Sequence, residues 1–445
     1  MNDYRQIIND PARDAAERLE ALKALETAEG AGGAAKTGEI NNHIHTIYSF
    51  SPYTPAMAAL KSRNAGLGAA GSVDHDSVGA AEEMLAACGI LGIGGCTGFE
   101  VRVSFKDGPF GGRKLNNPDS EGIAYMTVQG IPRQSIEKAA EFLAPIRAER
   151  LKRIRTMSEI ANALLREAGL GEIEFDRDIR GKSCYDAGGE ITERHLLAAV
   201  AGKLVAKYGR GPELAGGLKA AFGVDPGPKI AALLSDPDNP HCLFDLLGVL
   251  KSAFLPRIFI QGGEAECIPA RKMTEFALSI GAVPAYAYLG DVGESLTGDK
   301  KAEKFEDEFL DSLFDELKAA GYQALTYMPP RNTDEQLRRV RRLCREYGFM
   351  EISGVDINSS RQLFNCPRVL EPAFRHLVDT TWALIAHERL ASADPCLALF
   401  SPENPFAAEP LERRLEIYAE KGKKLDPHNS GESAFILAKE ILERN

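Results

Sequence analysis

The sequence lacks most of the signatures that would settle its class at a glance. Its eight cysteines are scattered without a C-x-x-C pair and mostly sit among apolar neighbours, as at Ala87-Cys88 and Leu343-Cys344. This excludes a disulfide-stapled scaffold and points to reduced, structural thiols in a cytoplasmic protein. No uninterrupted apolar run approaches about 18 residues, and Met1-Asn2-Asp3-Tyr4 does not open a basic-then-apolar leader, so neither a membrane span nor secretion is expected. There is no G-x-S-x-G elbow and no P-loop, and the glycine run Gly92–Gly98 lacks the G-x-G-x-x-G spacing of a dinucleotide loop. Positive charge is in deficit, with 53 Lys and Arg against 64 Asp and Glu and a formal charge of -11, the wrong sign for a general binder of duplex nucleic acid.

What is present suits an ordinary globular chain. With 44% hydrophobic and 26% charged residues over 445 positions, the length predicts two to three domain-sized units or one large barrel with insertions. Residues Pro11 to Ala28 carry helical spacing, and the glycine-rich stretch Gly30 to Gly38 follows, so 1–37 reads as a docked arm and hinge. Strand-like runs then alternate with amphipathic helices. The strands are Glu39–His43, Ala69–Asp74, Ile93–Val103, Ile123–Val128, Ala282–Tyr288, Gln323–Tyr327 and Met350–Val355; the helices include Pro55–Asn64, Val78–Cys88, Ala302–Ala320 and Thr333–Tyr347. Repeated βα units predict an α/β fold with a parallel sheet closed as a barrel, in two parts, 38–134 and 257–365. Between them, 135–256 is almost wholly helical (Ile136–Ala168, Thr192–Tyr208, Pro212–Phe222, His241–Ser252) and reads as an inserted helical cap, too long for a single loop. A helical extension, 366–445, closes the chain; its Trp382 region offers an apolar surface for the barrel exterior or a second copy, so a homo-oligomer is one expectation.

The chemistry gathers at strand ends. Only eight histidines exist, yet three lie in two tight polar clusters. In Asn42-His43-Ile44-His45-Thr46 an extended backbone turns both imidazoles to one side, where one metal ion can be gripped by both. Asp74-His75-Asp76 ends the second strand, Glu100 follows Gly98-Phe99 in the third, and Asp356-Ile357-Asn358 adds a carboxylate and an amide after the last. Each has a plainer reading: H-x-H alone is a weak signal, and Asp76 suits a helix N-cap. In a βα barrel, however, the C-terminal strand ends form one mouth, and metal-competent side chains recur there four times.

These motifs resemble the PHP (polymerase and histidinol phosphatase) superfamily of metal-dependent phosphoesterases, whose order is H-x-H, then Asp-His, then Glu, then further histidines and a final Asp-x-His. The likeness runs from about Ile40 to Asn358, interrupted by the helical insertion, and its first half is the specific part. It implies a distorted seven-stranded (β/α) barrel with an inserted helical cap and a helical C-terminal extension. Glu193-Arg194-His195-Leu196-Leu197 is similar to the family's cap element carrying an Arg and a His near a helix start. There are departures. Phe50 stands where three-metal members place an Asp, Tyr125 where a His follows the Glu, Ala285-Tyr286-Ala287-Tyr288 where Ala-His-Pro is usual, and Asn358 where the last His is usual. By that pairing His43, His45, Glu100 and Asp356 retain one complete site, which implies a single divalent ion per chain; Zn, Mn and Fe all suit the donors. His75, with Asp74 beside it, is then free to transfer protons, to bind a second, weaker ion, or to brace the site.

Recognition of a small phosphorylated substrate falls to cations near the strand ends: Arg194 and His195 first, Arg331 second, then Arg361, with Arg102, Arg113 and Lys114 as further candidates. Tyr125, Tyr286, Tyr288 and Asn358 would line the pocket, and Gly108–Asn117 reads as a loop over the mouth, either mobile or a long turn. The leading expectation is a metal-dependent hydrolase, a phosphoesterase acting on a small phosphorylated metabolite or nucleotide. The alternatives are an amidohydrolase-like enzyme with one metal and a non-phosphate substrate, and a silent ligand-binding domain.

Overall fold

The computed structural model describes residues 4–29, 36–292 and 303–444. Seven strands, β1 (Ile40–Ile44), β2 (Ala69–His75), β3 (Gly94–Ser104), β4 (Ile123–Gln129), β5 (Val283–Ala287), β6 (Ala324–Tyr327) and β7 (Met350–Ser353), lie side by side in chain order. Each expected strand is present, with small shifts at its ends. They are buried on both faces, as small and apolar runs such as Ala69-Ala70-Gly71-Ser72-Val73 require. The glycines of β3 have a packing cause rather than a phosphate-binding one. A Cβ on Gly98 would lie 2.3 Å from the Val128 carbonyl oxygen, and one on Gly94 2.8 Å from Ile385.

The barrel is nearly closed by a seam between β1 and the segment after β7. The His45 N–H donates to the Ile357 carbonyl at 2.9 Å and the Ile357 N–H to the His43 carbonyl at 3.0 Å. Lower down, side chains replace the missing ladder: the Asn41 amide donates to the Val355 carbonyl at 3.0 Å and the Asn42 amide to that of Ser353 at 3.1 Å. The two strands approach so closely that a Cβ on Gly354 would sit 2.5 Å from that of His43.

The expected all-parallel sheet needs one correction. β4 runs antiparallel to both β3 and β5. Residues 105–122 join β3 to β4 without a crossover helix, and a strand that returns by so direct a connection must run back beside its predecessor. Phe110 and Leu115 anchor this connection in the core, so the loop expected over the mouth is a packed one. Reversal puts the start of β4, with Tyr125, at the mouth, and its end at the barrel floor. The helix Ile136–Glu167 then climbs back: its first half (Ala139, Leu143, Ile146) belongs to the barrel core and its second (Ile154, Met157, Ala161, Leu165) to a separate apolar cluster formed with the helices Glu193–Tyr208, Pro212–Phe222, Gly227–Leu234 and Cys242–Ala253.

At the other end, the helix Ala15–Glu29 docks through Leu22 and Leu25 and a buried Arg18–Glu83 ion pair of 2.6 Å. Gly30 to Ala35, most of the expected hinge, and Gly293 to Ala302, with the expected start of the helix ending at Ala320, lie outside the described residues; that helix is seen as Leu310–Ala320. Trp382, in the helix His376–Ala393, packs over Gly68 and Gly94 of its own chain.

That same helix carries His387, which is 1% exposed and accepts the Leu399 N–H on Nδ1 at 2.9 Å. Burial pushes this imidazole down to about 4. The unfolded chain, titrating near the ordinary value of about 6.5, therefore binds a proton that the folded chain refuses. This contribution is full above that pH and is lost as the solution is acidified toward 4, about 3 kcal/mol in all. Urea unfolding between pH 7 and pH 4 should show that slope, and His387→Gln should flatten it.

Candidate metal centre

Apart from Arg194 and His195, which lie on the helix Glu193–Tyr208, the groups expected at the mouth lie on the strands or the loops beyond them, and the backbone decides which of them meet. His43 and His45 straddle the β1 seam, His75 ends β2, and Glu100 lies within β3 in register with His75. Among the described residues, His43, His45 and Glu100 form the group whose ligand atoms all lie within 4.8 Å of one another, all buried. Glu100 is central: its Oε1 is 3.5 Å from His43 Nε2, and its Oε2 is 4.0 Å from His45 Nε2 and 3.0 Å from His75 Nδ1. Asp356 closes the far side, with Oδ1 3.4 Å from His45 Nε2. The Asn358 amide donates to both Asp356 oxygens, at 2.7 and 2.8 Å, and so orients the carboxylate.

Asp74 does a different job from the expected proton transfer. Fully buried, it accepts the Thr46 N–H, the Thr46 hydroxyl and the Ser49 hydroxyl, each at 2.6 Å. Because the Ser49 proton is committed to Asp74, the Ser49 oxygen faces His45 Nδ1, at 3.4 Å, as an acceptor. That puts the His45 proton on Nδ1 and leaves Nε2 as a bare lone pair aimed at the centre. Burial pushes the His45 and His75 imidazoles down to about 3, so both are neutral, and burial likewise raises the Glu100 carboxyl above its usual range. Ligand atoms of His43, His45 and Glu100 thus converge on one point, with Asp356 at its edge. A divalent cation fits this donor set, with His43, His45, Glu100 and Asp356 positioned to hold it.

The centre lies in a cavity of about 400 Å³ lined also by Tyr125, Tyr288, Arg194, Arg331 and Asn358. Three expected pocket residues lie elsewhere. The His195 imidazole accepts the Thr192 N–H at 3.0 Å, capping its own helix, with Phe50 edge-on at 4.9 Å. Tyr286 lies inside β5 and is fully buried against Phe105 and Tyr322, whereas Tyr288 stands one residue beyond the end of the strand, where it lines the cavity. Arg361 grips the Asp245 carboxylate with two nitrogens, tying the loop after β7 to the helix Cys242–Ala253. Of the further cations, Lys114 pairs with Glu303 and Arg113 lies over Phe309.

Sequence reasoning missed the buried charges beneath the inserted helices. Arg102 of β3, Arg150 and Arg153 meet Asp76, Glu193 and Glu266 in one network, with Arg150 to Asp76 at 2.6 Å and to Glu193 at 2.8 Å, and Arg153 to Glu193 at 2.6 Å and to Glu266 at 2.7 Å. The signal was available: Arg150 and Arg153 interrupt the apolar stripe Leu143, Ile146, Ile154, Met157, and a charge on a helix's buried face needs a partner. A larger groove, about 1310 Å³, runs outside the barrel between the helix Ala81–Ile90 and the C-terminal segment around His428, away from the converging ligand atoms.

No protein-family model matches the chain, and no curated protein matches it. Among solved structures it is similar to an amidohydrolase from Chromobacterium violaceum with bound sulfate and no metal, at 17% identity and a TM-score of 0.48, over 76% of this chain and 95% of that one. It is also similar to a protein from Bifidobacterium adolescentis named as a metal-dependent phosphoesterase, at 17% identity and a TM-score of 0.47, over 78% of this chain and 96% of that one.

The arrangement around His45 predicts a graded response. His43→Ala should abolish stoichiometric binding of zinc or manganese, whereas Ser49→Ala, which removes only the group orienting His45, should weaken it about tenfold. Calorimetric titration of the two variants checks both.

Proposed function

We propose that this protein is a metal-dependent hydrolase, and more finely a phosphoesterase acting on a small phosphorylated molecule. The observation that carries the reading is the convergence of His43, His45 and Glu100 on one point of a small-molecule-sized cavity that also holds guanidiniums without carboxylate partners among the described residues. Arg102, Arg150 and Arg153 are neutralised by ion pairs. Arg194 and Arg331, in contrast, have their hydrogen bonds to backbone carbonyls, of Asn358 at 2.9 Å and of Leu289 at 3.2 Å, and among the described residues neither has a carboxylate within 4.0 Å. A cation so desolvated is stabilised by an anionic ligand, and a guanidinium with free N–H groups matches phosphoryl oxygens.

In this reading the ion held by His43, His45, Glu100 and Asp356 supplies Lewis-acid polarisation and acidifies water. The protein's own groups supply the rest. Arg194, anchored beside Asp356 through the Asn358 carbonyl, meets the substrate's negative charge and places its electrophilic atom at the centre. His75 is neutral, lines the cavity and has its Nδ1 against Glu100, so it is placed to take a proton when a bound anion raises its affinity for one. Tyr125 is held by burial well above the usual phenol range and keeps its proton, so its hydroxyl is a hydrogen-bond donor rather than a base.

The test is a panel of phosphomonoesters run beside a panel of amides and carboxylic esters, with zinc, manganese or iron added. Phosphoester turnover that is abolished by His43→Ala, with KM raised about tenfold to a hundredfold by Arg194→Ala, is the expected result. Turnover of amides or carboxylic esters alone would replace phosphoester with non-phosphate hydrolysis. Turnover that survives His43→Ala would refute the site.

A further inference from the structure

We infer that Arg150 is a positioning residue, a single guanidinium that holds His75 and Arg194 in register across the boundary between the barrel and the inserted helices; the roles of those two residues rest on the function proposed above. The argument is one of connectivity. Arg150 Nη1 binds Asp76 Oδ2 at 2.6 Å, and its Nη2 binds Glu193 Oε2 at 2.8 Å. Asp76 is the residue after His75, and Glu193 the residue before Arg194. One rigid fork therefore fixes the chain neighbours of two cavity-lining groups that come from different parts of the fold, and it does so from inside the same cavity.

Each arm of the fork is reinforced where a merely cohesive ion pair would not need it. Asp76 is the one non-glycine residue at positive φ, 48°, among the described residues, and its N–H donates to the Glu100 carbonyl at 2.8 Å. Its carboxylate thus anchors a strained turn tied to both His75 and Glu100. Glu193, at the first turn of the helix Glu193–Tyr208, is further held by Arg153 at 2.6 Å and by Arg102 at 3.3 Å, and Arg102 is two residues beyond Glu100 on β3. The long helix Ile136–Glu167 that carries Arg150 belongs to both apolar cores, so it is a stiff ruler between the two halves of the site. Lysine, with its point charge, cannot span both carboxylates in the same geometry.

The experiment uses the full-length, zinc- or manganese-supplemented protein and compares wild type with Arg150→Lys, Asp76→Asn and Glu193→Gln. Arg155→Ala is the control, since Arg155 pairs with Asp176 on the exposed side of the same helix. Readouts are kcat and KM for 4-nitrophenyl phosphate, calorimetric Kd for inorganic phosphate, and bound metal. The expected result is a split: Asp76→Asn lowers kcat about tenfold with phosphate affinity unchanged, Glu193→Gln raises KM and phosphate Kd about tenfold, and Arg150→Lys does both, about a hundredfold in kcat/KM, all with metal content intact. Wild-type kcat, KM and phosphate Kd in Arg150→Lys would overturn the inference, as would loss of thermal stability in the three variants without a change in these constants for the folded protein. Should Arg150→Lys not fold, the two near-isosteric carboxylate variants decide, and wild-type constants in both refute it. If the wild type turns over no phosphoester, the proposed function fails, but phosphate Kd still reads the positioning. Weaker binding in Arg150→Lys and Glu193→Gln supports it, and equal binding, or no phosphate binding by the wild type, overturns it.

Discussion

Two backbone hydrogen bonds across the β1 seam, His45 N–H to the Ile357 carbonyl and Ile357 N–H to the His43 carbonyl, carry more of this molecule than any other pair. They close the barrel, and they also set the register in which His43 and His45 face Asp356. Closure and ligand geometry are therefore one constraint. The seam is bought at the expense of a regular ladder: Asn41 and Asn42 substitute side-chain amides for the backbone donors that would pair β1 with β7, and Gly354 gives up its side chain so that the strands can approach. Polar residues in the middle of a buried strand, which look misplaced on any propensity scale, are there because the alternative is unsatisfied carbonyls in the core.

Much of this was legible in the sequence, and the parts that were not share a physical cause. Strands and helices were readable from periodicity, and so was the meeting of His43, His45, Glu100 and Asp356, because each stands at a strand end or near one, where residue type alone is informative. The direction of β4 was not readable. The pattern of a buried strand is the same in either sense, and only the absence of a helical signal in residues 105–122 distinguished a hairpin-like return from a crossover. The fates of Tyr286 and Tyr288 turned on where β5 ends, at Ala287 between them, and a strand end is not marked in a run of small and aromatic residues. Asp74 and His195 were misassigned for another reason: a carboxylate or imidazole beside the chemistry can serve by accepting hydrogen bonds from the backbone of a neighbouring loop, and that partner is known only in three dimensions. The Arg150 network was the most recoverable of the omissions, since arginines on the buried stripe of a helix imply buried acids somewhere else.

The balance of charge in the cavity argues for what the site is built to receive. Taking Arg102, Arg150 and Arg153 out of water is tolerable only because Asp76, Glu193 and Glu266 go with them, and such a network, once made, fixes geometry more than it adds stability. That fixed geometry leaves two poles that the protein itself does not complete. At one, imidazoles and carboxylates converge on a common centre; at the other, Arg194 and Arg331 point N–H groups into the same space with carbonyls as their protein partners. The first pole is answered by a cation and the second by an anion, and an anion drawn to Arg194 is drawn toward the cation as well. A site of this kind favours ligands whose charge can be shared between both poles, and a phosphoryl group, with oxygens disposed tetrahedrally around the atom to be attacked, presents one face to each. A carboxylate or amide, planar and carrying less charge, engages one pole well and the other poorly. On these electrostatic grounds the proposed phosphoester fits both poles better than a non-phosphate substrate does.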